Sequence, residues 1–192
     1  MKATVLAVAV LVASTQAFTF IAPMQARSVG RSSALRMADV VDTLAELQGP
    51  VLYWGSFGVS LGHEENDIKG YDNFTKFSKA LADTGVAKEL KSGGPYTIFA
   101  PTDNAVDDFQ GELTAAIVKN HIHEGKLTLN GITDDVTTMS GKLTYGRRFR
   151  KTFLDEAKVG IISEGASCGQ TYPADVAADN GIIHAINAVL EC

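Results

Sequence analysis

The side chains here with most capacity for chemistry are the histidines His121, His123 and His184, the acidic pairs Asp107-Asp108 and Asp134-Asp135, and the cysteines Cys168 and Cys192. His121 and His123 could share a metal ion. Two residues apart on a helix or loop, however, they match one ion poorly, and no cysteine or carboxylate cluster with zinc spacing accompanies them. The acidic pairs could serve acid–base catalysis, but adjacent side chains diverge, and such pairs usually mark a solvated helix end or turn. No C-x-x-C, H-E-x-x-H or G-x-G-x-x-G pattern occurs. These observations predict a protein without a catalytic centre, metal, cofactor or small-molecule substrate. Joining Cys168 to Cys192 would stabilise the fold by roughly 3–4 kcal/mol by restricting the unfolded chain. An oxidising compartment favours that bond, and a reducing one favours free or redox-sensitive thiols.

The elements that must position these residues begin with Tyr96–Phe109 (YTIFAPTDNAVDDF). A β-prone apolar run meets Pro101, which cannot donate a ladder hydrogen bond, and Thr102 and Asp103 can then cap a short helix starting near Asn104. In Asn180–Leu190 (NGIIHAINAVL), a tight-turn dipeptide whose second residue is Gly181 precedes a run too apolar for a solvated strand. It predicts a central strand buried on both faces, with His184 satisfying a buried partner. Phe74, Phe77 and Leu81 recur at helical steps and predict an amphipathic helix over 71–91, broken near Thr84-Gly85 and resumed through Leu90. Leu113–Asn120 reads as another helix, with Leu113, Ala116 and Ile117 inward. The later chain is rich in β-branched residues and turn signals. Helices first and strands later predict an α+β fold.

Together with Asn120–Lys126 (NHIHEGK), the segments Tyr96–Phe109 and Asn180–Leu190 resemble, in order and spacing, the fasciclin-type (FAS1) adhesion domain. The resemblance covers roughly Tyr71–Leu190. It implies helices packed on a largely antiparallel β-sandwich, a single such domain over 71–192, and protein binding instead of catalysis. It also implies that His121 is structural, bonded to backbone or to the Thr102-Asp103 turn. Asn120 stands where the family commonly has tyrosine, and Glu124 lies where proline is usual. Integrin recognition, associated with that tyrosine-histidine region in animal relatives, is therefore not carried over.

Lys2 precedes the small-apolar run Ala3–Ala13, and Ser14–Ala17 suits a signal-peptide cleavage site. The run is shorter than the ~20 apolar residues of a membrane span. Residues 18–37 carry arginines and serines and no acid, which is transit-peptide composition. A signal peptide over 1–17 joined at Ala17-Phe18 to a transit-like segment over 18–37 resembles the bipartite leaders of red-lineage algal plastids. The expected location is the stroma or the thylakoid surface. The alternative is secretion, with residues 18–37 as a basic pro-segment. The chain has 17 basic and 22 acidic residues, a net charge of −5. Without Lys2, Arg27, Arg31 and Arg36, 13 basic residues remain and the net charge is −9. That balance disfavours nucleic acid as a partner.

Residues 38–70 precede the expected domain. Asp39–Leu47 places Val40, Val41, Leu44 and Leu47 on one helical face, and Gly49-Pro50 stops the helix. Val51–Gly62 (VLYWGSFGVSLG) is uncharged, and Phe57, Val59 and Leu61 alternate with small residues at strand period. Either it covers the domain's own core or it is a docking arm with Tyr53 and Trp54 as anchors for a protein or a membrane surface. Arg147, Arg148, Phe149, Arg150 and Lys151 form a basic run around an aromatic, read as a charged, protected strand edge or as a grip on anionic headgroups or an acidic partner. Asn73-Phe74-Thr75 matches the glycosylation acceptor pattern, but its place at a helix start makes it accidental outside the secretory route. The expected function is a non-enzymatic adhesion or interaction module, with a photosynthetic membrane complex as the first partner to test and a secreted or cell-surface adhesion protein as the alternative.

Overall fold

The Asp39 carboxylate accepts the backbone N–H groups of Val41 and Asp42, each at 3.0 Å, and so starts helix α1 (Val40–Glu46). The computed structural model describes residues 38–149, 151–160 and 173–191; the expected leader, Arg150, Cys168 and Cys192 lie outside them. After α1 come β1 (Val51–Tyr53), α2 (Gly55–Val59) and β2 (Ile68–Tyr71). The interrupted helix expected over 71–91 is α3 (Thr75–Asp83) and α4 (Val86–Ser92), split at Gly85, whose φ of +78° only glycine adopts without steric cost. Then follow β3 (Tyr96–Pro101), α5 (Asp103–Asp108), α6 (Ala115–Asn120), β4 (Ile122–Glu124) and a 3-10 turn (Leu129–Gly131). The remaining described elements are β5 (Val136–Thr137), β6 (Lys142–Leu143), β7 (Tyr145–Arg148), β8 (Lys151–Leu154), β9 (Ala157–Val159), β10 (Val176–Ala178) and β11 (Gly181–Ile186).

The main sheet runs β4-β3-β11-β9-β8-β7, with β10 also on β11. Its pairs are antiparallel except β3 with β11, which lie parallel from Tyr96 beside Gly181 to Pro101 beside Ile186. All six residues of β11 are buried, as its apolar run requires. Along β3, side chains alternate between two cores. Ile98 and Ala100 join Ile183 and Ala185 under Phe74, Phe77, Leu81 and Leu90 of the helical layer. Phe99 and Ile186 face Leu143, Leu154 and Val159 of the strand layer. The α+β architecture is therefore helices on one face of the sheet and a β-meander on the other.

Two expectations change. Helix α1 is not a prelude to the domain, because Val40 and Leu44 sit inside the helical-side core, and the described residues form one compact unit. On α6 the inward residues are Val118 and Asn120, while Ala116 is exposed and Leu113 and Ile117 are only half-buried. The helix starts later than expected because Thr114 is its cap, accepting from the Ile117 N–H at 3.4 Å, which rotates its buried stripe.

Gly181 lies so close to its neighbours that an added Cβ would run into the Tyr96 carbonyl and Val40 Cγ1. Gly181→Ala is expected to cost about 3 kcal/mol, the upper range for overpacking, read as a lower urea midpoint at unchanged slope. An unchanged midpoint would contradict the parallel register.

Candidate interaction surfaces

The residues singled out around Pro101 form a joint between two helices. Thr102 Oγ1 accepts the Ala105 N–H at 3.3 Å and caps α5, as expected. Asp103 does something else. Its carboxylate accepts the Thr75 hydroxyl at 2.6 Å and the Lys76 N–H at 2.8 Å, so it caps α3 instead of its own helix. In return, buried Asp72 from the start of α3 accepts the Asn104 N–H of α5 at 2.9 Å. Each helix start thus receives a carboxylate from the other, where orphan N–H groups and the helix dipole favour negative charge. Lys76 and Asp107 add an ion pair beside this joint.

His121 is fully buried and engaged at both ring nitrogens. The Leu190 N–H donates to Nε2 at 3.0 Å, so Nε2 carries no proton and Nδ1–H donates to the Ile117 carbonyl at 2.8 Å. Only the neutral ring can make both bonds, and burial lowers its pKa from 6.5 to about 4. Its partners are backbone groups, not the Thr102-Asp103 turn. Next to it, Asn120 donates to the Glu191 carbonyl at 2.7 Å and accepts the Thr138 hydroxyl at 2.7 Å. Together they tie the end of the chain to α6. His184 does similar work on the other side of the sheet: Nε2–H donates to the Leu127 carbonyl at 2.8 Å and Nδ1 accepts the Asp175 N–H at 3.2 Å. Its ring stacks on Phe99, and burial pushes its pKa down.

Around a cleft of about 240 Å³ the fold brings together His123, Asp134 and Asp135. All three are already engaged, Asp134 by the Thr133 hydroxyl at 3.1 Å. His123 Nδ1 bonds the Thr137 carbonyl at 2.6 Å, while the Tyr145 N–H and Lys142 hold the Asp135 carboxyl below its usual range. Among the described residues no group of three or more His, Cys, Asp or Glu is placed to hold a metal, and no helix is long and apolar enough to cross a membrane.

The segment expected to be an arm is an ordered excursion. Val51 pairs with Tyr71 and Tyr53 with Ile68, in a two-stranded sheet separate from the main one. Between these strands Phe57–Leu61 is not a strand: Gly55–Val59 is helical, with Gly55 at φ +60° turning the chain into it. The alternation was produced by small residues, Gly58 packing on Trp54 and Ser60 turning back to the Phe57 carbonyl. No residue of 51–71 is part of either core cluster, so the excursion does not cover the domain's own core. Trp54 is held internally, its ring stacked 4.4 Å from that of His63 with Lys69 over it at 5.5 Å. Half-buried Tyr53 lies in β1. The outward apolar groups are Phe57 at 71%, Val59 at 53%, Leu61 at 58% and Ile68 at 58% exposure. Ile68 carried no sequence signal, since it follows the polar linker 63–67.

Of the basic run, Arg147 and Arg148 end β7 and Lys151 begins β8, with Arg148 opposite Lys151 and Arg147 opposite Thr152. Among the described strands β7 lies at the edge of the main sheet. Phe149, at the apex, is 95% exposed. Asn73 of the glycosylation pattern is half-buried and accepts the Gly49 N–H at 3.1 Å, while Thr75 donates to Asp103.

The model of the Fasciclin domain family matches residues 72–192. Transforming growth factor-beta-induced protein ig-h3 of Sus scrofa is 25% identical over 127 residues, 64% of this chain and 18% of that protein. Protein sll1735 of Synechocystis is 25% identical over 62% of this chain and 90% of its own length. The solved FAS1 domain pair from the insect cell adhesion molecule Fasciclin I is 21% identical, with a TM-score of 0.46, covering 60% of this chain and 44% of that one. The chain thus spans under a fifth of ig-h3 but nearly all of the Synechocystis protein.

His121 makes the fold acid-sensitive. Its pKa is lower folded than unfolded, so its stabilising contribution is complete above pH 6.5 and is lost as pH falls from 6.5 to about 4. At 1.36 kcal/mol per pH unit the loss is about 3 kcal/mol. His121→Gln is expected to remove that part of the pH dependence of unfolding, leaving a smaller slope in the same direction from His184. Asp103→Ala is expected to cost about 1–2 kcal/mol as a lost cap, whereas exposed Asp108→Ala stays within about 0.5 kcal/mol, both by chemical denaturation.

Proposed function

We propose, since the chain belongs to the fasciclin domain family, that it is a non-enzymatic protein-binding module that docks through the excursion 51–71. The observation that carries this reading is the outward set Phe57, Val59, Leu61 and Ile68, each more than half exposed on a segment that contributes nothing to the protein's own cores. Covering such side chains gains about 25 cal/mol for each Å² of apolar surface removed from water. The excursion is also pre-organised. β1–β2 pairing, the Trp54–His63 stack and backbone bonds from Trp54 to Asp67 and from Gly55 to Glu65 hold its shape before any partner arrives. Little ordering entropy then opposes binding.

The leader composition supports an address in a red-lineage algal plastid, and the partner proposed is a photosynthetic membrane complex. The engagement of both Asn73 and Thr75 within the fold supports the plastid route over secretion as a glycosylated adhesion protein. Mass spectrometry of the mature protein separates the two: a start near Ala38 without glycan is expected, and a start at Phe18 with a glycan on Asn73 would favour export.

A double change, Phe57→Ser with Leu61→Ser, is expected to leave the unfolding midpoint nearly unchanged, because both side chains are already in water. Retention on washed thylakoid membranes should fall about tenfold, the equivalent of 1.4 kcal/mol. Undiminished retention, or none by the parent protein, would remove the docking role.

A further inference from the structure

We infer that the β7–β8 hairpin tip is a membrane-contact site that places Phe149 among the headgroups of an anionic lipid surface, with Arg147, Arg148 and Lys151 against the lipid phosphates. This contact does not depend on the docking excursion.

Two features of the tip work against the fold. Phe149 has φ +49°, in the left-handed region where glycine or asparagine sits at least cost and a bulky side chain is strained. Packing does not offset that strain, because the ring is 95% exposed. Arg148 lies directly across from Lys151, and like charges facing each other on paired strands destabilise the pair. Arg148 finds partial relief over the Phe153 ring at 5.7 Å. Protection of a sheet edge would account for the cations, but not for an aromatic at the apex. Strained backbone that persists without a packing reason points to a use outside the fold.

An anionic bilayer surface rewards both features at once. Aromatic rings settle at the headgroup level, and arginine and lysine stems lie along apolar surface while their charged ends reach phosphates. From Tyr145 to Phe153 the sequence carries Arg147, Arg148, Arg150 and Lys151 and no acid, although the whole chain is at −5. The acidic remainder is repelled by the same surface, so the tip leads. An apex that projects a single ring also suits a yielding surface better than a protein face, which would need a matching hole.

The test uses the full chain and vesicles of neutral phosphatidylcholine, with and without phosphatidylglycerol. Binding is expected only with phosphatidylglycerol, weakening as salt rises. Arg147→Glu with Arg148→Glu should weaken it at least about tenfold, since each lost cation counts separately at such a surface. Phe149→Gly relieves the backbone, so it should hold or raise the unfolding midpoint while weakening binding several-fold; unchanged binding would show a purely local role and overturn the inference. Because the basic leader could itself bind vesicles, Phe149→Trp supplies a readout at the tip. Its added emission should be quenched by brominated phosphatidylglycerol, and unquenched emission overturns the inference whatever the leader does. Retention on a poly-glutamate matrix, lost in the charge-reversed variant and without vesicle binding, would assign the tip to an acidic protein face and equally overturn it.

Discussion

Six consecutive residues, Gly181 to Ile186, are withdrawn from water, and each of their backbone groups must find its hydrogen bond within the protein. β3 supplies one edge along the whole length, and β10 followed by β9 supplies the other. A buried amide left without a partner costs about 1–3 kcal/mol, so β11 cannot shift register without losing several such bonds together. The one ring with polar atoms in the strand, His184, obeys the same constraint through Leu127 and Asp175. Because each face of this sheet is covered by a different layer, every other element is placed by which side of β11 it must cover.

The helical side is fastened by charges exchanged between α3 and α5, and the chain end by His121 and Asn120. These polar groups act within the core's edges, where a neutral histidine or a capping carboxylate is worth more than in water. They are consequently unavailable for chemistry. What the chain offers outward is of another kind: an apolar excursion stiffened by its own stack, and a basic hairpin with an aromatic point. Neither the excursion nor Arg147, Arg148 and Phe149 at the hairpin tip contributes a side chain to a core.

Much of this was legible where local rules decide. Gly85 splitting α3 from α4, Thr102 capping α5 and the wholly buried β11 all follow from residue type and short-range pattern. Failures came where a distant residue competes. Asp103 lies two residues after Pro101 and looks like a cap for its own helix, yet α3 approaches and takes the carboxylate. The Nε2 partner of His121 is Leu190, far along the chain, and no periodicity reveals it. Phe57, Val59 and Leu61 show a strand period, but over so few residues a single helical turn with glycine at its entry produces the same alternation. The uncharged run 51–62 and the basic setting of Phe149 raised the possibility of outward apolar groups, but the choice between docking and covering the core required seeing the core filled without them.

The parallel pairing of β3 with β11 joins Tyr96–Pro101 to Gly181–Ile186, far apart in sequence. A polypeptide emerging from the ribosome exposes Ile98, Phe99 and Ala100 before the strand that shelters them exists. Cooperative closure therefore waits until Gly181–Ile186 has been made, and a non-local contact of this length slows it further. A message truncated before Gly181 would yield a product with helices but no hearth for them to gather around, fit chiefly for degradation.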